Sequence, residues 1–451
     1  MMSNFVGSNR DQRFLLPPDL RDWIPEDDLA HFVLEAVERV GMERLKVNER
    51  GTGDAQYHPR MMLALLIYCY ANGIFSSRRI ERATHRDIGV RFVAANTHPD
   101  HDTICKFRRE NAEAVSESFL QVLLLARELK LLKVGMVSVD GTKMDANASK
   151  HRSLRYDRAR ELVEQLKLDV DDLLAQAERA DGSEEVDPQA LPAEIARREV
   201  LREKLDAACK QLEAQAQARA EKEREEYETK LRAHQERHGK GKKPKPPDAT
   251  PRNDEQSNLT DPDSRLMRKN EQSEFRQSYN AQAAVDAEGS MLILGARITQ
   301  CAGDQNELVA TVEAIPKEVG SPDTVLADNG YACGEEVETL SKRDIETLVA
   351  TGAGGGKRRY DFRPSKAKKP AKEVKAEWLI AMKAKLESEA GRAKYRLRKQ
   401  TVEPVFGIIK NVLGFRHFYL RGLAKVEGEW KLLALAYNCK RLHRLQGALA
   451  G

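Results

Sequence analysis

The stretch from about 155 to 237 constrains this chain most, because it is dense in charge and patterned for helix alone. Val163, Leu166, Val170 and Leu173 recur at three-four-three spacing, and Leu201, Leu205, Ala208 and Leu212 at four-three-four. Apolar residues at that spacing line one narrow side of a helix, which is the pattern of a coiled-coil seam. Between the two runs lie Asp181-Gly182-Ser183 and Asp187-Pro188, which interrupt helices. The segment therefore predicts an antiparallel helical hairpin. Its distal end, 239–247, is a basic, proline-rich linker with little apolar surface to bury.

The hairpin interrupts something of a different kind. Residues 134–140 read as a β-branched strand just before it. Strand signals resume at Gln277, where 279–286 and 291–298 flank the turn Ala287-Glu288-Gly289-Ser290. A helix over 305–315, a short buried strand over 325–327, a helix over 334–342 and a strand over 347–350 follow. Alternating strands and helices indicate an α/β domain, split by the hairpin after its first strand.

Residues 20–130 look helical throughout. Leu29, Phe32, Val33, Val37 and Val40 keep helical spacing, and Pro59 precedes an apolar helix over 61–71. Ser76-Ser77 and Asp100 stand where helix caps are expected. Short helices, one of them carrying Lys106, Arg108 and Arg109, suit a helix-turn-helix-like DNA-binding head. A plain helical packing domain with solvated arginines suits the pattern equally. The expected division is a head over 1–130, an α/β domain over 131–154 and 256–451, and an insert over 155–255.

The 451 residues are enough for two or three domains, but the net charge of +4 gives no whole-molecule field for nucleic acid. Charge has to be read by segment. Over 352–375, Lys357, Arg358, Arg359, Arg363, Lys366, Lys368, Lys369, Lys372 and Lys375 face only Asp361 and Glu373. That run is either a phosphate-backbone contact, the reading favoured here, or a solvated loop. Gly352–Lys357 lacks the spacing of a nucleotide phosphate loop. The six cysteines are scattered, with no Cys-x-x-Cys pair, which argues against a disulfide framework or a zinc ribbon and fits a reducing cytosol. The first residues lack the apolar core of a signal peptide. The longest apolar run, 61–70, falls far short of the ~20 residues that a membrane span needs.

Three segments each offer one carboxylate. Val137-Ser138-Val139-Asp140-Gly141 and Val325-Leu326-Ala327-Asp328-Asn329-Gly330 are apolar strands ending in Asp, and a basic helix around 395–410 carries Glu403. Taken singly, Asp140 suits a hairpin turn, Asp328 an Asx-turn, and Glu403 a surface pair with Lys399. In this order they suit a site in which two divalent cations activate an attacking oxygen and stabilise a leaving one. Asp145 is the rival for the first position, and Asp304 reads as a helix N-cap. Tyr395, Arg398, Lys399 and Lys410 are placed to bind DNA phosphates beside the site. Phe406, Ile409 and Val412 form the face expected to pack on the sheet, and Pro404 suggests a helix start or kink there, with Glu403 near a helix N-terminus.

These features resemble the DDE transposases of bacterial insertion sequences, and most of all the insertion-sequence eleven-eighty-two type. The resemblance is carried by 57–111, 137–149, 327–331 and 395–442, including Gly414-Phe415-Arg416-His417-Phe418, Arg421-Gly422 and Tyr437-Asn438. It implies an RNase H-like catalytic core. It implies cleavage of double-stranded DNA at transposon ends, then attack of the freed 3′ hydroxyl on target DNA. Two Mg²⁺ ions, with Mn²⁺ able to substitute, would be held by Asp140, Asp328 and Glu403. A homodimer in the paired-end complex and a cytoplasmic, nucleoid-associated location in bacteria follow from the same likeness. Related enzymes carry a Tyr-x2-Arg-x3-Glu-x6-Lys helix. Tyr395-x2-Arg398 and Glu403-x6-Lys410 fit it, but four residues separate Arg398 from Glu403, and Lys399 restores the spacing only to Glu403. The rivals are a structure-guided nuclease without strand transfer and a DNA-binding regulator. The insert has three readings: a DNA guide, a spacer, or a protomer-pairing element whose seam joins two chains.

Overall fold

The computed structural model describes residues 19–47, 55–180, 190–236, 244–269, 272–352 and 376–450. The interruptions at 181–188, the first part of the basic linker and the basic run beyond Gly352 lie outside the described residues.

The head is built from α1 (Leu29–Glu38), α2 (Pro59–Ala71), α3 (Ser77–Arg86), α4 (Ile88–Val93), α5 (His101–Glu110) and α6 (Ala112–Glu128). Helix α2 is its axle, since Met62 to Ala71 are all buried. A helix that is apolar on every side has to be surrounded. Asp100 caps α5 as expected, accepting from the amides of Asp102 and Thr103, whereas Ser76 precedes α3 without a side-chain cap.

Strand β1 (Met136–Asp145) follows, then the short β2 (Ser153–Arg155) and the long helices α7 (Tyr156–Ala180) and α8 (Ala190–Glu236). Beyond them come β3 (Gln256–Asn258), β4 (Arg265–Met267), β5 (Arg276–Asp286) and β6 (Ile293–Thr299). The chain continues through α9 (Leu308–Glu313), β7 (Thr324–Ala327), α10 (Gly334–Ser341) and β8 (Glu346–Val349). It ends with α11 (Glu377–Glu387), α12 (Glu389–Arg396), α13 (Arg398–Gly407), a π-helical turn over Ile408–Val412, and α14 (Leu423–Ala450).

The main sheet runs β4-β5-β1-β7-β8, with β6 also paired to β5. Strands β4, β5 and β6 are antiparallel to their partners, while β1, β7 and β8 run parallel. Strand β1 does not stop at Asp140, as the Asp-Gly pair had suggested. It continues to Asp145, because β5 pairs with it along its whole length, Asp140 opposite Ala283 and Asp145 opposite Ser278. Helix α14 lies between sheet and head. Its Trp430 donates to the Gln282 carbonyl, Asn438 bonds both backbone groups of Ile293, and Lys440 donates to the Ala71 carbonyl. One apolar core therefore runs from α2 and α6 through α14 into the sheet.

Helices α7 and α8 form an antiparallel pair. Tyr156 reaches Glu213 at one level and Asp169 meets Arg198 at another. Their seam holds Tyr156, Ala159, Leu166, Leu205, Cys209 and Leu212. Leu201 falls outside it, 42% exposed, at the level where the Arg198 and Asp169 charges meet. The seam is closed within the chain. At the base of the insert, β2 and β3 pair antiparallel, Arg155 opposite Gln256.

Two expectations about the last helices are also corrected. Glu403 does not start a helix: α13 begins at Arg398 and accommodates Pro404 in its interior. Val412 is 72% exposed, while Leu413 takes the buried place after Phe406 and Ile409. Two turns of a helix with about 3.6 residues per turn lead from Phe406 to Leu413, so the ordinary repeat itself leaves Val412 off the buried face.

Candidate active site

The parallel pairing of β1 and β7 matches Met136 with Thr324 and Ser138 with Leu326. Carried two residues further, that register sets Asp140 beside Asp328, one strand spacing apart and on one face of the sheet. Asp328 follows the last residue of β7, and its Oδ1 accepts from the Gly330 amide at 2.7 Å. The Asx-turn reading of Asp328 is therefore correct as local structure, and it leaves the second oxygen free to face the neighbouring strand.

Helix α13 packs on that face. The hydroxyls of Thr401 and Ser138 are 2.7 Å apart, and Val402 and Val405 are fully buried. Just before it, Tyr395 donates to the carbonyl of Ala327 at 3.2 Å, fixing the end of α12 against the residue preceding Asp328. Burial raises the Tyr395 phenol above its ordinary value, so it stays a neutral donor there.

The three carboxylates meet at one guanidinium. Arg398 Nη2 lies 3.2 Å from Asp140 Oδ2 and 3.5 Å from Asp328 Oδ2, and Nη1 lies 3.3 Å from Glu403 Oε1. The expected surface pair of Glu403 with Lys399 is replaced by this one: Lys399 is exposed, and Arg398, at the head of α13, reaches back to Glu403. Exposure rises from Asp140 at 16% to Asp328 at 39% and Glu403 at 50%, so the site opens on the Glu403 side.

A fourth carboxylate completes the group, in a place that its sequence neighbours do not suggest. Asp304 does not cap α9, where Glu307 holds the cap position. Its Oδ1 accepts from Asn280 Nδ2 and Gln282 Nε2, both at 2.8 Å. A Cβ added at Gly141 would stand 2.5 Å from that oxygen, and one at Gly330 would stand 2.9 Å from Asp328 Oδ1 and 3.4 Å from Asp304 Oδ2. The signal in the sequence was the pair of polar residues Asn280 and Gln282, two apart in the otherwise apolar run 280–285. Buried amides in a strand need partners, and here the partner is the Asp304 carboxylate. Gln282 also accepts from the buried Tyr331 hydroxyl.

Asp145, the rival first carboxylate, points elsewhere. It pairs with Arg276 at 3.0 Å, among Lys143, Lys269 and Ser278 in a neighbouring hollow. Lys410 contacts Thr142 and the Lys143 carbonyl, two residues beyond Asp140 on the same face of β1. Burial, with Lys269 adding like charge, holds its ammonium down at about 8.

The candidate DNA contacts of the head divide. Lys106 and Arg109 are exposed on α5, and Lys106 borders a groove with Lys46 and Tyr57. Arg108 is turned inward, 7% exposed, and donates to the Tyr70 hydroxyl and the Phe75 carbonyl. It is a packing residue in this structure and no surface contact, because α5 turns that side toward α2 and α14.

Among the described residues no three His, Cys, Asp or Glu side chains form a ready cage for a metal ion. The donor chemistry nonetheless suits a divalent cation. Burial pushes the Asp140 carboxyl up to about 7 against the pull of Arg398, and Asp328 and Asp304 add to the rise. One guanidinium leaves this cluster of hard oxygen donors short of positive charge.

Residues 229–439 match the family model described as "Transposase DDE domain", which takes in Asp304, Asp328, Arg398 and Glu403. Residues 18–110 match a second, described as "Transposase domain (DUF772)", which takes in all of α1 to α5. No curated protein and no solved structure gives a significant match. Among the described residues, no helix is long and apolar enough to cross a membrane.

Proposed function

The chain belongs to the insertion-sequence DDE transposases, and on that premise we propose that Asp140, Asp328 and Glu403 form its catalytic triad. The observation that carries this reading is the convergence of the three carboxylates on Arg398. The mixed sheet, with Asp140 in its central strand and Asp328 at the end of the next parallel strand, supports an RNase H-like core.

Two Mg²⁺ ions, or Mn²⁺ in their place, would be held by Asp140, Asp328 and Glu403, and would supply Lewis acidity at the scissile phosphate. The remaining steps fall to the chain itself. Asp140 is set rigidly by the β1–β5 ladder, so its carboxylate keeps its place as DNA arrives. The exposed side of Glu403 leaves room for the substrate strand. Lys410, with Lys143, Lys269 and Arg276 in the adjoining hollow, forms a basic track for the phosphates on either side of the cut. Exposed Lys399, next to Arg398 on α13, offers a further phosphate contact. The head, through Lys106 and Arg109, binds the terminal inverted repeats. A homodimer brings two such ends together for transfer to target DNA.

The test is cleavage of a labelled duplex carrying the element's own end, in Mg²⁺ or Mn²⁺, by wild type and by Asp328→Asn. Metal-dependent nicking at the end by wild type alone is expected, followed by joined products when target DNA is added. Nicking without regard to the end sequence and without joined products would favour a nuclease. Equal cutting by Asp328→Asn would remove Asp328 from the site.

A further inference from the structure

Arg398 stands where the triad's cations belong. Its side chain is 9% exposed, and its guanidinium is the group on which all three carboxylates close. Surface arginines seldom meet three acids at once, and this one does so while its own Nε is buried without a hydrogen-bond partner. A buried donor left unsatisfied makes this arrangement less than optimal for the arginine, although its charge is well compensated. The side chain springs from the first residue of α13, beside the open Glu403 side of the site.

We infer that Arg398 is an internal counter-cation that closes the metal site of the DNA-free enzyme and yields it when the guanidinium swings to a DNA phosphate. This deepens the two-metal reading proposed above and rests on it. One planar cation with donors on two nitrogens spans carboxylates that would otherwise repel one another. A divalent ion cannot enter the same space until that cation leaves. Phosphate is the natural alternative partner, since guanidinium binds it as it binds carboxylate. DNA binding and metal loading are then coupled, each favouring the other.

The test is Mn²⁺ binding to full-length protein without DNA, followed by the electron paramagnetic resonance signal of free Mn²⁺. If Arg398 occupies the site most of the time, Arg398→Met binds Mn²⁺ about tenfold more tightly than wild type. The gain should vanish in Arg398→Met/Asp140→Asn. A short end duplex should tighten binding by wild type and not by Arg398→Met. Should the methionine variant fail to fold, Arg398→Lys takes its place. A lysine ammonium is a point charge that cannot span three acids, so a smaller gain over wild type is expected.

Binding by Arg398→Met, or by Arg398→Lys in its place, that is no tighter than wild type would overturn the inference, provided Asp140→Asn still weakens Mn²⁺ binding. In that case Arg398 organises the site and does not close it, and the two-metal reading survives. Mn²⁺ binding indifferent to Asp140→Asn, with and without DNA, would remove the two-metal reading and this inference together.

Discussion

Arg108 and Glu429 meet in the interior, Nη1 to Oε1 at 3.5 Å, with the Tyr70 hydroxyl hydrogen-bonded to both. Arg108 comes from α5 of the head and Glu429 from α14, whose other face holds the sheet. The second oxygen of Glu429 accepts from the amides of Tyr419 and Leu420. One buried carboxylate thus fastens head, last helix and the loop before it.

Breaking a buried pair leaves its partner uncompensated, which costs about 3–5 kcal/mol. Arg108→Met should therefore lower the melting temperature sharply, and Glu429→Gln should do so to a similar or lesser extent. Calorimetry on the two variants and on the double Arg108→Met/Glu429→Met is the check, and the double should lose less than the sum. Lys106→Ala and Arg109→Ala on the same helix should change stability by no more than about 0.5 kcal/mol. They should instead weaken end binding and lower its salt dependence by about one ion for each phosphate that is no longer neutralised.

Asp304→Asn isolates the fourth carboxylate. The remaining carbonyl oxygen can still accept from Asn280 and Gln282, so the local hydrogen bonds survive while the charge is lost. Cleavage is expected to fall by about 10–100-fold, the usual cost of losing a group that supports a metal ligand. Binding of the end duplex, measured by fluorescence anisotropy, should be unchanged.

Gly141 allows the backbone of β1 to pass Gln282, Asp304 and Asn280. An added Cβ would meet polar atoms of these residues at 2.4, 2.5 and 2.9 Å. Gly141→Ala should cost about 1–3 kcal/mol through the forced shifts, read as a fall in denaturation midpoint. Because Asp140 is the preceding residue, end cleavage should fall further than the stability loss alone explains.

Lys410 titrates at about 8, below the ordinary lysine value, because burial disfavours its charge. It binds phosphate only when protonated. The advantage of wild type over Lys410→Gln in duplex binding should be large at pH 7 and shrink as the pH rises to 9. Stability responds in the opposite sense. Between about 8 and the unfolded value the unfolded chain binds more protons, so burying Lys410 costs least at high pH. Anisotropy titrations at both pH values check the first statement, and denaturant melts check the second.

Asp140, Asp328 and Glu403 could be picked out in the sequence by their order, two strand-end aspartates and then a helix glutamate, and by the family resemblance that this order carries. The failures come where local rules compete with pairing. Asp140-Gly141 has the chemistry of a turn, but a long partner strand, β5, keeps β1 extended through it. Phe406, Ile409 and Val412 step by three, which drifts around a helix of about 3.6 residues per turn, so the buried place falls to Leu413.

Arg108 and Arg109 are indistinguishable in a basic run. The packing of α5 on α2 and α14, which supply Tyr70 and Glu429, decides which is buried. Asp304 has a helix ahead of it and so reads as a cap, while its true partners lie on β5. Arg398 is legible as a basic residue near the Glu. That it spans all three acids depends on the join of α12 and α13, which no spacing announces.

The ribbon of β2 and β3 has a consequence for how the molecule assembles. The central ladder joins Asp145 to Ser278, residues separated by the whole helical insert. Left as open coil, that intervening length would have to be gathered by chance before the ladder could close, and long-range closure slows folding. The two helices pair locally, and Arg155 opposite Gln256 brings the chain back to the point it left. To the growing sheet, the long excursion then behaves as a short loop. The insert thus shortens, for the sheet, the distance along the chain between the two strands that flank it.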